Sequence, residues 1–470
     1  MLHVTRPVGR ERSGRVLLIN PPIEEPYWHG VTPAGAANGV RATEGAIVKW
    51  SFTYPLPLGL LRIAGQLLRE GKEVYFLDCF SSLPKQYPSS RERLSPCAVP
   101  TSQATDNWEL RYHHLGLRFE EVDKLLQHVV VDEVLVGCTF TFHSDAAHRV
   151  IEIVRKRMPK VKIRFGGIYP TLAPDVARTS QADEIFVGPY PGIEDETLNY
   201  AFLGHPPSFI LIKGTSGCPQ RCAYCAVHKL EGNRFHHRDP EEVFAEIRSK
   251  YEQYGLRRIG MWDSNILMQY DKYLGVLLRR ITDSELPLEL TAPEGFDYRL
   301  LTPEIARDLK AAGLQVASLA LESSDTEYAR TRLNRNNDLD RLETAVSYLF
   351  EAGFEGRCVR LFTMIGLPGQ TVEHVIQNIR YGWSLGCNVL LFPFTPIPGT
   401  QLYTENLATL HDLPLRSLHP ALFPCVDDNA SKELLIELMA LGKLDAVHRS
   451  QAESFREVIS SPELLAALGA

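Results

Sequence analysis

The chain has 470 residues, a formal net charge of -7, 44% hydrophobic residues and 23% charged residues. That length exceeds one ordinary core, so two or three domains are expected. The mild acidity excludes a chain built to coat nucleic acid, and the lack of eighteen consecutive apolar residues excludes a membrane-spanning helix.

In chain order, "MLHVTRPVGRERSGR" is basic and polar, lacks the apolar stretch of a secretory leader and reads as a loose tail. "VLLIN" (16–20), "EVYFLD" (73–78), "EVLVGCTF" (133–140), "VKIRFGG" (161–167) and "EIFVG" (184–188) read as strands. Helical stripes at 57–71 and 144–158 separate some of them. Nearly continuous apolar strands alternating with helices predict a doubly wound parallel α/β sheet over residues 15–200, with its ligand at the carboxyl ends of the strands. Residues 81–117 show no period and read as a long insertion or lid.

From about residue 206 to 400 six strand-like runs follow: 209–214, 257–262, 287–292, 316–321, 357–366 and 388–394. Helical patterns at 240–254, 270–282, 303–313, 339–352 and 371–385 alternate with them. Six βα units predict a partial (β/α)6 barrel with its chemistry at the carboxyl ends of the strands. Residues 401–470 read as a helical extension, with an amphipathic helix over 431–449 that caps or walls the barrel.

Nine cysteines are present, and six of them (79, 97, 138, 358, 387, 425) are scattered. No disulfide framework is visible, so a reducing cytoplasm is the expected setting. The other three lie together in "GTSGCPQRCAYCAVH" (214–228), directly after the first barrel strand. Cys218, Cys222 and Cys225 can converge on one metal centre. With His228 they would make a four-ligand zinc site. Without it, three thiolates on a four-iron cluster leave one iron open for chemistry. The position at a barrel strand end favours the cluster.

The spacing Cys218-x3-Cys222-x2-Cys225, with Tyr224 before the last cysteine, resembles the radical S-adenosylmethionine superfamily. The resemblance implies a 4Fe–4S cluster on these cysteines and S-adenosylmethionine chelated to the open iron. Reductive cleavage would then give a 5′-deoxyadenosyl radical. Further matches fall at successive strand ends. "MWDSN" places Asp263 and Asn265 where the family holds the methionyl amino group, although many members have Gly-Gly-Glu there. "LALESS" places Glu322, with Ser323 beside it, at the ribose hydroxyls. "TMIGLPGQT" places Ile365 and Gly366 at the adenine, and "LNRNN" places Arg335 near the cofactor carboxylate. Each has a plainer reading: Asp263 as a cap, the glycines as turn residues, and Glu294 after the third strand as a solvated carboxylate.

Residues 15–200 resemble the cobalamin-binding domain that precedes many such enzymes. That implies Gly137, Thr139, Gly166, Gly167 and Thr171 at strand ends beside a corrinoid. The Asp-x-His-x-x-Gly signature that supplies an axial histidine elsewhere is absent, and His143 and His148 do not fit it. The resemblance therefore implies a cobalamin-dependent radical enzyme that methylates or rearranges a small-molecule or peptide substrate. An electron donor such as flavodoxin or ferredoxin would serve it, with no membrane or strong nucleic-acid role. The alternatives are a cobalamin-free radical enzyme with a degenerate N-terminal domain, or a non-catalytic corrinoid- or zinc-binding protein. A methylthiotransferase would need a further cysteine triad and a terminal RNA-binding domain, neither of which is visible.

Overall fold

The computed structural model describes residues 2–6, 14–30, 56–80, 95–96, 108–193, 197–203 and 207–441. The N-terminal strands are β1 (Leu2–Thr5), β2 (Arg15–Asn20), β3 (Ile23–Gly30), β4 (Glu73–Asp78), β5 (Ser95–Pro96), β6 (Trp108–Leu115), β7 (Glu133–Gly137), β8 (Lys162–Gly166) and β9 (Glu184–Ile185). Six of them form one sheet in the order β1-β4-β2-β7-β8-β9. All its pairings are parallel except the β1 edge, which runs antiparallel to β4. The apolar runs of β2, β4 and β7 are buried because helices cover both faces. Helix Leu58–Arg69 packs Leu60, Leu61, Ala64 and Leu67 on one face. Helices Phe119–Leu126 and Ser144–Arg157 cover the other with Val122, Leu126, Val150, Ile151 and Val154. Each such buried aliphatic side chain stabilises the fold by about 1.5–3 kcal/mol.

Three expectations need correction here. Residues 2–5 are not a loose tail: their backbone donors and acceptors complete the edge of the sheet. Residues 108–115, read as part of an aperiodic insertion, form β6, which pairs antiparallel with β3 and with the short β5. The "EIFVG" strand is only two residues long in the sheet. The remainder of 81–117 apart from 95–96 and 108–117 lies outside the described residues, as does the boundary near Pro206.

The strands that follow are β10 (Ile210–Ile212), β11 (Thr215–Ser216), β12 (His236–His237), β13 (Arg258–Met261), β14 (Glu289–Thr291), β15 (Ala317–Glu322), β16 (Val359–Ile365) and β17 (Asn388–Pro393), of which β11 and β12 form a separate two-stranded ladder. The six long-expected strands are all present and parallel, but they form two triplets, β10-β13-β14 and β15-β16-β17. Two isolated bridges, Leu290 with Leu314 and Phe296 with Leu319, join them. Helix starts are fixed by side-chain caps. Asp239, Thr302, Asp338 and Thr371 each accept a backbone N–H of the first turn, a contribution of about 0.5–2 kcal/mol per cap.

The two domains share a core. Leu198, Tyr200, Phe202 and Leu203 join the helix 58–69 face to the barrel helices, and Leu211 N–H donates to the Tyr200 hydroxyl at 2.8 Å. The C-terminal segment walls more than the barrel. Leu410, Leu415 and Leu418 enter the far core of the N-terminal sheet. Helix Asn429–Leu441 lies with helix Val372–Ser384 and with Leu110 and Tyr112 of β6. The expected continuation of that helix to residue 449 lies outside the described residues. Among the described residues, no helix is long and apolar enough to cross a membrane.

Candidate active site

The cysteine loop hangs from the exit of β10 and is closed at its neck by the β11–β12 ladder, Thr215 opposite His237 and Ser216 opposite His236. Gly217 is required at this neck. Its φ is 78°, and a β-carbon there would lie 2.0 Å from the Arg234 carbonyl oxygen. Asp263, at the exit of β13, pins the loop to the barrel: Oδ1 accepts from Gly214 N–H (2.9 Å), Thr215 N–H (2.5 Å) and the Thr215 hydroxyl (2.8 Å). The loop's far end is held by Glu231. Its carboxylate pairs with Lys213 at 2.8 Å and accepts from Gly217 N–H and the Ser264 hydroxyl.

Cys218, Cys222 and Cys225 are half-buried free thiols on this loop. Burial raises the Cys218 thiol and pushes Cys225 up to about 12, with neighbouring Cys222 adding to both shifts. Three such thiols held together become thiolates when a metal centre supplies the positive charge. Two centres suit such a donor set. In tetrahedral zinc with Zn–S of about 2.3 Å the sulfurs lie about 3.8 Å apart. The triad is wider. Among the described residues, the one group of three metal-ligating side chains with all ligand atoms within 4.8 Å is Glu25, His143 and His419, not the cysteines, with or without His228. The donor set fits a larger sulfur-ligated cluster.

Unpaired polar atoms lie at the strand exits beside the cysteine loop. Asp263 is 2% exposed, and its Oδ2 has no partner. Burial raises this carboxyl despite the donors from Thr215 and Gly214. Asn265 is buried, its side chain hydrogen-bonds to the Cys218 thiol and its Oδ1 has no partner. The Tyr273 hydroxyl and Thr363 Oγ1 are also buried without partners. Donors and acceptors left in this state cost about 1–3 kcal/mol each, so a cluster of them marks a place where something polar binds.

The opposite wall is built from β15 and β16. A register shift between Ala320 and Glu322 ends β15, and Glu322 takes a left-handed φ of 65°. For a side chain with a β-carbon that conformation is strained, of the kind that accumulates at functional sites. It brings the carboxylate to the Tyr224 hydroxyl, which donates to it at 3.1 Å. Burial raises the Glu322 carboxyl, opposed by the charge of Arg335 and by Tyr224. Burial, then Glu322, holds the Tyr224 phenol well above its usual range. Arg335 is buried, donates to the Asn337 side chain at 3.1 Å and to the Ala320 carbonyl, and puts Nη1 4.0 Å from Cys222 Sγ.

Other sequence-predicted residues have structural tasks on this wall. Ser323 Oγ accepts from Asp325 N–H at 3.2 Å. The Ile365 carbonyl accepts from Phe394 N–H at 2.8 Å. Gly366, with φ of 72°, lies against Phe423, whose Cδ1 would be 2.7 Å from a β-carbon there. Glu294 follows β14 and opens onto the mouth. Its side chain reaches solvent, yet the protein crowded around it, and less so Glu231 and Asp263, raises the carboxyl against the opposing charge of Lys213.

The five residues expected beside a corrinoid all sit at the carboxyl edge of the N-terminal sheet. Three also have packing reasons to be what they are. A β-carbon on Gly137 would meet Leu60 at 3.0 Å, and one on Gly167 would meet the Cys138 carbonyl oxygen at 2.4 Å. Thr171 donates to the Gly167 carbonyl and accepts from Gly188 N–H. Thr139 is exposed and Gly166 half-exposed. Periodicity alone did not show the apolar surface beside them. Phe140, Ile168 and Val187, at the exits of β7, β8 and β9, are large and exposed, and Gly188 after Val187 stands in open space. Such an apolar edge suits a broad ligand face. Neither nearby histidine is free: His143 Nε2 lies 2.7 Å from Glu25 and His148 Nε2 lies 3.0 Å from the Tyr169 hydroxyl.

Residues 212–381 match the model of the radical SAM superfamily. The chain is 23% identical over 321 residues to bacteriochlorophyllide d C-12(1)-methyltransferase of Chlorobaculum tepidum, covering 58% of this chain and 65% of that one. It is 27% identical over 229 residues to the ribosomal protein uS12 methylthiotransferase RimO of Heliobacterium modesticaldum, covering 46% and 48%. It thus spans from about half to just under two thirds of these relatives' lengths. The fold is similar to that of the radical S-adenosylmethionine methyltransferase TsrM of Kitasatospora setae, solved with cobalamin and a 4Fe–4S cluster. The TM-score is 0.55 at 16% identity, covering 89% of this chain and 86% of that one.

Proposed function

We propose that this chain, which carries a radical SAM domain at residues 212–381, is a radical S-adenosylmethionine enzyme of the methyltransferase type, with a corrinoid on its N-terminal domain. The observation that carries the reading is the mouth of the barrel. There, three half-buried thiols on one loop stand beside the unpaired Asp263 Oδ2 and Asn265 Oδ1 at a strand exit. Cys218, Cys222 and Cys225 would hold a 4Fe–4S cluster, and the domain limits are 15–200, 206–400 and 401–470. The reduced cluster with bound S-adenosylmethionine supplies a 5′-deoxyadenosyl radical.

The chain's own residues prepare that site. Asp263 uses one oxygen to fix the cysteine loop, and its unpaired Oδ2, with Asn265, is offered to the methionyl end. Glu322, oriented by the Tyr224 hydroxyl, accepts from the ribose hydroxyls. Arg335 sets a fixed positive charge between Cys222 and Glu322 and faces the cofactor carboxylate. Ile365 and Gly366 present backbone to the adenine. The enclosing barrel keeps water from the reacting centre, which a carbon radical needs.

On the N-terminal domain, Phe140, Ile168 and Val187 give an apolar floor, with Thr139, Gly166 and Gly188 at its edge. A corrinoid there supplies the methyl group. His143 and His148 are already engaged with Glu25 and Tyr169, so neither would ligate a corrinoid held there. The substrate is a small molecule or peptide, and a one-electron donor of the flavodoxin or ferredoxin type is the partner.

The test is anaerobic purification with hydroxocobalamin, followed by visible and paramagnetic resonance spectra of the Co(II) form. A base-off signal without nitrogen coupling is expected. A nitrogen-ligated signal refutes the ligand assignment. Failure to retain corrinoid, with iron and cleavage of S-adenosylmethionine intact, favours the cobalamin-free enzyme.

A further inference from the structure

Three segments far apart in the chain meet at one buried carboxylate. Glu25 lies on β3, His143 in the short 3-10 turn Thr141–His143 after β7, and His419 in the C-terminal segment. His143 Nε2 is 2.7 Å from Glu25 Oε1, and His419 Nε2 is 2.8 Å from Glu25 Oε2. All three side chains are buried. Phe142 packs its ring edge-on between the imidazoles, with centroid distances of 4.7 Å to His143 and 4.6 Å to His419.

Two histidines and a carboxylate within 4.8 Å are also the ligand set of a divalent metal. The second nitrogen of His419 argues against that use. Its Nδ1 accepts from Ala421 N–H at 3.1 Å. A backbone N–H can only donate, so Nδ1 carries the lone pair and the ring proton sits on Nε2. Nε2–H therefore donates to Glu25 and has no lone pair for a metal. The carboxylate is a shared acceptor, and the cluster is a clasp.

The clasp has something to position at each end. On one side Phe142 stacks on Phe140, centroids 5.2 Å apart and planes 10° apart, and Phe140 opens onto the apolar edge of the N-terminal sheet. On the other, His419 leads into the 3-10 turn Pro420–Leu422 and then to Phe423, whose left-handed φ of 48° turns its ring against Gly366 at the exit of β16. Arg416 adds a second, exposed tie to Asp145 at 2.8 Å. The packed series Phe140, Phe142, His143 with His419, and Phe423 with Gly366 runs from the face of one domain to the mouth of the other.

We infer that Glu25 is a positioning residue that, by clasping His419 to His143, sets Phe423 under Gly366 and so fixes the β16 wall of the cofactor site relative to the N-terminal sheet. The inference rests on the cofactor reading above for its binding arm alone. Its structural arm stands by itself.

The experiment compares the full-length protein with His419→Leu, His419→Gln and Glu25→Gln, by peptide-resolved hydrogen exchange and by S-adenosylmethionine binding to the cluster-loaded form. In His419→Leu, exchange should accelerate about ten-fold or more over 415–425 and also over 363–369, because local opening free energy falls where docking is lost. S-adenosylmethionine affinity should fall about five-fold or more, the lower range of inter-site coupling, with iron content unchanged. Glutamine at 419 still offers an N–H to Glu25, so His419→Gln should recover most of both. If His419→Leu does not fold, Glu25→Gln, which loses one of the two acceptors, gives the same comparison.

Faster exchange confined to 415–425, or unchanged affinity in every variant, overturns the inference. So does a stoichiometric divalent metal in the wild type that His143→Ala removes. If the wild type binds no S-adenosylmethionine, the cofactor reading fails, and the exchange arm still decides the clasp.

Discussion

Among the described residues two clusters of metal-ligating side chains stand out, and they are built in opposite ways. At Glu25 every ligating atom is matched: two Nε2–H groups meet two carboxylate oxygens, and Ala421 N–H satisfies His419 Nδ1. At the cysteine triad little is matched. The thiols are raised by burial, Asp263 Oδ2 and Asn265 Oδ1 lack partners, and Glu322 is held in a strained backbone conformation. A cluster that closes on itself has spent its polar groups on the fold. One that leaves them unpaired around a concavity keeps them for a ligand. Ligand type alone would rank the two the other way, since the compact His–Glu–His group has the tighter metal geometry.

The sharpest break of that contrast comes from emptying the open cluster. Cys218→Ala, Cys222→Ala and Cys225→Ala together should take iron from about four per chain, the stoichiometry of a four-iron cluster, to background, and should remove the broad visible absorption. Retained iron would mean that the metal sits elsewhere, and one zinc in the native protein would restore the simpler site. The next effect in size is at the opposite wall. Glu322→Ala leaves the Tyr224 hydroxyl and Arg335 without their carboxylate and removes the proposed ribose acceptor. S-adenosylmethionine affinity should fall by about 1–3 kcal/mol, read by equilibrium binding to cluster-loaded protein. An unchanged constant would make the strain at Glu322 a matter of the β15 bulge alone.

A smaller effect is expected at Glu294. Glu231 is committed to Lys213, Gly217 and Ser264, and Asp263 has one oxygen committed to the loop. Glu294 adds a third carboxylate near a single lysine. Glu294→Gln keeps the shape and removes the charge. Because the group opens to water, its attraction for a cationic ligand is screened to about 1 kcal/mol or less, or up to about five-fold in S-adenosylmethionine affinity. No change would leave it a solvated carboxylate.

The open site was far more legible in the sequence than the closed one, for physical reasons. Its ligands are local: three cysteines within eight residues, and the flanking groups at the ends of apolar strands whose limits fall within about three residues of the structure. Helix 240–254 starts at an aspartate cap and proline and stops at a left-handed Gly255, so both ends were written in residue types. By contrast β3, "IEEPYWHG", does not alternate, β6, "WELRYHHL", alternates only over 108–113 at the end of a long polar stretch, and the two pair across a separation that hides their register. They are stabilised by tertiary packing, including Leu110 and Tyr112 in the same cluster as the C-terminal helix. Glu25 meets partners 118 and 394 positions away, and no local pattern encodes such a meeting. The roles of Phe140, Ile168 and Val187 also emerged only once the strands were side by side.

The smallest predicted effect tests whether the closed cluster stays closed in acid. His419 is buried and neutral, and burial holds its pKa below the ordinary value against the pull of Glu25. Glu25 pays a desolvation cost that raises its carboxyl, yet His419 and His143 together bring it below the carboxylate range. In the unfolded chain an imidazole takes a proton near pH 6.5; in the folded chain His419 does so only at lower pH. Between those values the unfolded state binds more protons, so stability falls as the pH drops. Glu25 acts in the same direction at still lower pH, since its stabilisation exists above the unfolded carboxylate value and is lost on acidification. The charged groups nearby, Asp145 and Arg416, are paired with each other at the surface. His419 should therefore contribute a slope of up to about 1.4 kcal/mol per pH unit below pH 6.5. His419→Gln removes that titration and keeps the donor. Thermal midpoints measured from pH 7.5 to 5.5 should decline less steeply in the variant than in the wild type. Parallel curves would mean that the imidazole takes up its proton equally in the folded and unfolded chain, and a steeper decline in the variant would mean that it already carries its second proton when folded, so that Nδ1 does not accept from Ala421.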